Sequence, residues 1–138
     1  MSLFVLDASV TLAWFFEDEA SAYSAAVLES LRSHQAQVPG IWPLEVVNVL
    51  LVGERRGRCS EARSSRFLGL LSALPIQVTG VADLSMPVDL LSLARRHGLS
   101  AYDADYLRLS IRGGIPMATQ DKKLVNAASE CGVGLWLI

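Results

Sequence analysis

Cysteine is nearly absent from this chain. Cys59 and Cys131 stand single and far apart among 138 residues, which gives neither a zinc knuckle nor a dithiol redox motif. Both read as ordinary thiols of a reducing cytosol, so a cytoplasmic location is expected. A surplus of positive charge is missing as well. Twelve lysines and arginines stand against 14 aspartates and glutamates, for a net charge of −2. That is not the profile of a strongly basic nucleic-acid binder; a nucleic-acid substrate would need metal ions and local arginines to offset its phosphates. No apolar run approaches the ~18 residues that cross a bilayer. The first seven residues have no basic stretch and end on Asp7, unlike a signal peptide, so no membrane association is expected. What the chain does have is apolar content: 51% hydrophobic residues and a mean hydropathy of +0.36. Residues 1–138 suit one domain, long enough to bury about two-thirds of its unfolded surface. The apolar excess points to a subunit or partner interface.

Strand and helix patterns alternate, with no linker, repeat or low-complexity stretch. Leu3 to Leu6 is a short buried strand ended by Asp7. Helices are expected from Ala8 to Phe16 and from Glu19 to about Ser33. Gln37-Val38 is a strand, and Pro43 opens a helix to about Arg56. Further helices are expected from Ser60 through Leu71, from Pro87 to Gly98, from Tyr102 to Arg112 and from Asp121 to about Cys131. Ile76–Thr79, Pro116–Thr119 and Leu135–Leu137 complete five strands. Such interleaving implies an α/β fold with a parallel sheet covered on both faces.

Glu45 has little structural reason for its place. Glu45 and Asn48 are the polar side chains between Leu44 and Val52, and three-residue spacing puts them on one face of an otherwise apolar helix. A buried carboxylate costs several kcal/mol unless it is paired or binds a metal. A first-turn position, favoured by the helix dipole, is the competing explanation. In open α/β sheets, ligands bind beyond the carboxyl ends of strands. Asp7 follows the first strand, Asp121 follows the fourth, and Glu45 and Asp103 open their helices, so all four acids reach one edge. Unshielded, they would repel one another. Hard divalent ions take oxygen ligands, and Mg²⁺ favours one or two carboxylates, waters and phosphate oxygens. Mg²⁺ or Mn²⁺ acting on a phosphodiester fits the pattern.

Each acid also has a local explanation. Asp7 and Asp121 suit helix N-caps, and Ser100-Ala101-Tyr102-Asp103 resembles a capping box with Asp in place of Glu. Asp105 lies two positions past Asp103 and points elsewhere on the helix. Ser9 and Thr119 each sit two residues from an acid, close enough to orient carboxylates or waters, though a helix-start hydroxyl and a strand residue are their simpler readings. Asn48 is placed to support Asp7 or a water by hydrogen bonding. Arg55, Arg56 and Arg58 form a weak RNA-backbone patch, against which stands a solvated helix end. His34 and His97 read as surface residues without a cysteine or serine partner, leaving a serine or cysteine hydrolase poorly supported.

The segments F-V-L-D-A-S-V, V-P-G-I-W-P-L-E-V-V-N-V-L, L-S-A-Y-D-A-D-Y-L-R-L and M-A-T-Q-D-K-K-L resemble, in order and spacing, the PIN-domain nucleases, in particular the VapC-type ribonuclease toxins of prokaryotic toxin–antitoxin pairs. Residues 59–96 carry no motif. The resemblance implies a three-layer α/β/α sandwich around a mostly parallel five-stranded sheet and Mg²⁺-dependent RNA hydrolysis. It implies Asp7, Glu45, Asp103 and Asp121 as catalytic, metal-binding acids, with Ser9, Asn48 and Thr119 in support. It also implies a small antitoxin as partner, and the apolar excess points to a homodimer. Asp7 and Asp103 are expected to hold the principal ion, and Glu45 to orient or deprotonate the attacking water. Two other classes remain open. One is a phosphoacceptor or phosphohydrolase domain with Asp7 as nucleophile, although Ser9 stands where a haloacid-dehalogenase-type site wants a second Asp. The other is a non-catalytic interaction module in which the acids are only caps.

Overall fold

The computed structural model describes residues 1–80 and 83–138. Its centre is β1 (Leu3–Leu6), apolar throughout and buried from Phe4 onward, as a strand covered on both faces must be. β2 (Gln35–Val38) and β4 (Met117–Ala118) pair with it in parallel on either side, and β3 (Ile76–Val78) pairs with β2, giving the order β3-β2-β1-β4. Among the described residues seven α-helices fill the connections: α1 (Ala8–Ala13), α2 (Ala22–Ser30), α3 (Ile41–Arg55), α4 (Glu61–Ser72), α5 (Met86–His97), α6 (Ala101–Gly113) and α7 (Lys122–Glu130). The expected α/β fold with helix-flanked parallel sheet is present.

Among the described residues the sheet has four strands rather than five. Leu135 makes one parallel bridge to Met117, and the chain then turns, with Leu137 at a φ of 64°. That left-handed residue ends the extension before a ladder can form. The segment is fastened instead by Trp136, whose ring stacks on Phe4 with centroids 4.6 Å apart and whose Nε1 donates to Ser30 Oγ at 3.0 Å.

Two helix starts differ from the sequence reading in ways that matter. Glu17–Glu19 is a short 3-10 turn, and α2 begins only after Ser21, which exchanges capping-box bonds with Ser24. A serine pair that satisfies two free N–H groups defines the start more sharply than apolar periodicity does. α3 begins two residues before Pro43. Pro43 is third in the helix, where its missing N–H is one the first turn leaves unpaired anyway. Glu45 therefore falls in the second turn, and a first-turn position no longer accounts for it.

The β1–β4 register sets the site. Leu6 is opposite Ala118, and the Asp7 N–H donates to the Ala118 carbonyl at 3.0 Å. Asp7 and Thr119 thus leave the sheet side by side. α6 reaches the same edge because Gly98, with a φ of 64°, closes α5 and Ser100 caps α6 through the Asp103 N–H. Among the described residues no helix is long and apolar enough to cross a membrane.

Candidate active site

Asp7 occupies an N-cap position yet makes no side-chain cap bond. Its Oδ2 instead accepts from Ser9 Oγ at 2.7 Å and from Thr119 Oγ1 at 2.8 Å. Those two hydroxyls are themselves oriented: Ser9 Oγ accepts from the Gln120 N–H and Thr119 Oγ1 from the Asp121 N–H, each at 3.1 Å. Oδ1 takes no protein hydrogen bond among the described residues. Burial raises the Asp7 pKa, the two hydroxyl bonds oppose that, and the charges of Asp103 and Asp121 raise it further. Asp7 is only 5% exposed, and no ion pair reaches it among the described residues. It is a buried carboxylate held rigidly by one oxygen, with no protein cation to balance it.

Glu45 comes in from α3. Its Oε1 accepts from the Tyr106 hydroxyl at 2.8 Å. Half-burial raises its pKa; the Tyr106 bond opposes this, and the charges of Asp7, Asp103 and Asp105 add to it. Asp103 is half-buried in the first turn of α6. Burial raises its pKa most, then the charge of Asp121, with the Ser100 hydroxyl and the Lys123 charge offsetting part of the rise. Asp121 does act as a cap: its Oδ1 accepts from the Lys123 and Leu124 N–H groups at 2.9 and 3.3 Å. Its charge still registers on Asp7 and Asp103. The four acids therefore share one neighbourhood at the sheet edge.

Other expected residues sit apart or act differently. Asn48 is exposed and makes no bond to Asp7, but it lines a groove of about 350 Å³ with Glu45 and Tyr102. Arg58 is tied to Asp18 at 3.0 Å and Glu19 at 3.4 Å and lies 4.1 Å from the Phe16 ring centroid. It anchors the 3-10 turn. Arg55 and Arg56 are exposed, but Arg55 is ten residues along α3 from Glu45, about 15 Å at 1.5 Å per residue. The arginine trio is therefore not one patch beside the acids. The histidines are not simple surface residues either. His34 Nδ1 accepts from the Ser2 N–H at 3.0 Å. The His97 side chain is 4% exposed, with Nδ1 2.8 Å from Glu130 and Nε2 3.3 Å from Cys131 Sγ. That cluster joins the ends of α5 and α7, far apart in sequence, so no spacing rule pointed to it.

Tyr106 is the residue the sequence reading missed. It is fully buried. Burial first, and then the charges of Glu45 and Asp7, hold its hydroxyl firmly protonated, so it acts as a donor. Its signal was present: Tyr106 follows Asp103 by three residues and so shares its face of α6.

Among the described residues, no three Asp, Glu, His or Cys side chains stand close enough to enclose a metal ion by themselves. Self-repelling carboxylates set around a rigid buried one match an ion that takes one or two carboxylates and completes its shell with water and substrate oxygens. The donor set, all hard oxygen, fits Mg²⁺ or Mn²⁺ in that open manner.

Residues 4–130 match the family model described as the PIN domain. No curated protein matches the chain. Solved structures do. PAE2754 from Pyrobaculum aerophilum is similar at 23% identity and a TM-score of 0.70, covering 91% of this chain and 84% of that one. VapBC2 from Rickettsia felis, bound to a DNA fragment from its promoter, is similar at 12% identity and a TM-score of 0.65, covering 96% of each chain. FitAcB from Neisseria gonorrhoeae is similar at 15% identity and a TM-score of 0.54, covering all of both chains. Below a quarter identity, these likenesses speak for the fold.

Proposed function

The chain belongs to the PIN-domain family, and from that premise we propose that its 138 residues form one metal-dependent endoribonuclease domain, the toxin of a cytoplasmic toxin–antitoxin pair. The observation that carries the reading is Asp7: buried, locked through Oδ2 by Ser9 and Thr119, and facing the charges of Asp103 and Asp121. A module whose acids are only caps does not account for it, because Asp7 makes no cap bond. A phosphoacceptor reading wants a nucleophile freely oriented toward a phosphoryl group, and supports itself less well on a carboxylate pinned between two hydroxyls.

In this mechanism Asp7 and Asp103 would hold the divalent ion, and Glu45 and Asp121 would support it through water or at a second site. When bound, Mg²⁺ or Mn²⁺ supplies an acidified water and neutralises nonbridging phosphate oxygens. Ser9 and Thr119 fix the Asp7 carboxylate through Oδ2, leaving Oδ1 free of protein bonds among the described residues. Tyr106 holds Glu45 Oε1, leaving Oε2 to orient the attacking water and take its proton. A carboxylate raised toward the working pH suits that transfer. The test is RNA cleavage by purified protein with Mg²⁺, Mn²⁺ or EDTA. Cleavage should need the metal and disappear in a folded Asp7→Asn variant. Full cleavage by that variant, free of contaminating nuclease, overturns the assignment.

Two neighbouring structures, VapBC2 and FitAcB, read as toxin–antitoxin pairs, support a small antitoxin as partner. Leu44, Val47 and Leu51 share one face of α3 at 66%, 40% and 40% exposure, with Leu68 of α4 beside them at 39%. We assign the antitoxin's apolar segment to this strip, which runs into the groove holding Glu45. The apolar excess also supports a homodimer.

A further inference from the structure

A second cavity lies on the same sheet edge as the acids. Its volume is about 500 Å³, and Pro39, Ile41 and Leu109 give it apolar walls while Asp105, Arg108 and Arg112 supply charge. That size and mixture suit a small organic group. The polar groups are unusual. Arg108 is 7% exposed; its Nε is engaged by Asp89 Oδ2 at 3.1 Å, while its Nη2 is buried with no hydrogen-bond partner among the described residues. Asp105, three residues earlier on the same face of α6, takes no hydrogen bond or ion pair among the described residues. A buried, unpartnered donor and a half-buried carboxylate free of protein bonds among the described residues thus share the cavity wall. A buried donor left unmade is costly and points to a ligand.

The charges narrow the ligand. Asp105 and Asp83 oppose a free anion, and Arg108 and Arg112 oppose a cation. The complementary group is neutral overall and carries acceptors and donors side by side. We propose that this cavity is a nucleobase subsite that selects guanine next to the scissile phosphate, an inference that rests on the ribonuclease reading above. Guanine offers O6 and N7 as acceptors to a guanidinium and N1–H with N2–H₂ as paired donors to a carboxylate. Adenine presents an amino donor where guanine has O6, which sets donor against donor at Arg108. Ile41 lines both this cavity and the groove containing Glu45. The acids follow β1 and β4, while Pro39 and Thr79 follow β2 and β3. The two strand pairs are centred two spacings of ~4.8 Å apart, roughly 10 Å, a reach of about one or two nucleotides.

The test sequences the ends that the purified protein generates from a random single-stranded RNA pool with Mg²⁺. Guanine should be enriched at one fixed position within a nucleotide or two of the cut. Inosine there, lacking the N2 amino group, should cut about 10-fold more slowly, as for loss of a hydrogen bond to a charged group. The near-isosteric Asp105→Asn change should slow cleavage at guanosine about 10-fold, to the inosine rate, and so erase the difference between the two. Base-independent cleavage, or an inosine penalty unchanged in Asp105→Asn, overturns the proposal and gives the cavity to a partner's side chain. Absence of any metal-dependent cleavage overturns the ribonuclease reading instead. Ligand-observed NMR then decides the subsite alone: guanosine should bind about 10-fold more tightly than inosine or adenosine, and equal binding refutes it.

Discussion

Tyr106→Phe removes one oxygen and little else. The ring stays in the core, where Tyr106 is fully buried, and the bond lost is the 2.8 Å contact to Glu45 Oε1. Glu45 is half-buried, so water can replace the hydroxyl, and stability should change by no more than about 1 kcal/mol. Turnover should respond more strongly. A hydrogen bond to a charged group is worth about 1.5–3 kcal/mol; if it fixes Glu45 for proton transfer, its loss slows cleavage by about 10- to 150-fold at ~1.4 kcal/mol per decade. The effect should fall on kcat, with KM little changed, because Tyr106 acts through Glu45 and touches no substrate. A purely structural tyrosine would not move the pH profile, but this one should. The Tyr106 bond lowers the Glu45 pKa against burial. Removing it leaves Glu45 protonated to higher pH, and a base must be ionised to act, so the acid limb of the pH–rate profile shifts upward. In Glu45→Gln the limb should vanish, and adding Tyr106→Phe should then cost almost nothing further. Wild-type turnover with an unmoved limb in Tyr106→Phe would refute this role.

Thr119→Val should weaken the protein by about 1–3 kcal/mol in urea melts, since it strips a bond from the buried Asp7 carboxylate and leaves the Asp121 N–H unpaired; a change below a few tenths would show the network to be incidental. Asp7, Glu45 and Asp103 all have raised pKa values. The native state therefore binds more protons than the unfolded chain, and their favourable contribution is complete below the ordinary carboxylate range and is lost as pH rises through the elevated values. Thermal melts of the metal-free protein should accordingly fall as pH is raised from about 4.5 toward neutrality, and millimolar Mg²⁺ should restore most of the loss; a melt rising over that window without metal would contradict the assignment. Leu68→Glu, on the α4 side of the strip and outside the groove that holds Glu45, should leave RNA cleavage and stability within about twofold and 1 kcal/mol while abolishing antitoxin binding by calorimetry. Retained binding would move the partner elsewhere.

The parts of the fold that could be read from the sequence were those set by local periodicity and by turn chemistry. β1 announces itself as four apolar residues ended by Asp7, and α5 ends at Gly98 as its sequence suggests. The missing fifth strand was not legible, because Leu135–Leu137 is apolar in either arrangement and only the turn at Leu137 distinguishes them. The start of α3 was misplaced for a related reason. Pro43 fits the first position of a helix and also the third, and the sequence offers no polar cap before Ile41 to choose between them. Long-range pairings were invisible in principle. Nothing local links Tyr106 to Glu45 or His97 to Cys131; the first meeting depends on how α6 lies against α3, the second on how α7 lies against α5.

Asp7 and Asp121 show what such a reading can and cannot separate. Each is an aspartate that follows a strand and precedes a helix, so each fits an N-cap equally well on sequence. In the fold one caps and the other does not. Asp121 turns its carboxylate to the Lys123 and Leu124 N–H groups. Asp7 leaves the N–H groups of its helix alone and takes the side-chain hydroxyls of Ser9 and Thr119 instead. The difference comes from the neighbouring strand: β1 is central and its register with β4 brings the Thr119 hydroxyl beside Asp7, whereas Asp121 leaves β4 at the sheet's end. The Asp121 N–H then donates to that same Thr119 hydroxyl, so capping one helix and orienting the other carboxylate are coupled through a single threonine. An acid that keeps its cap can still add its charge to the site. Asp121→Asn preserves an acceptor for both N–H groups and should melt like the parent protein or slightly above it, while cleavage falls about 100-fold as one charge leaves the cluster. Unchanged cleavage would reduce Asp121 to its cap and leave the chemistry with Asp7, Glu45 and Asp103.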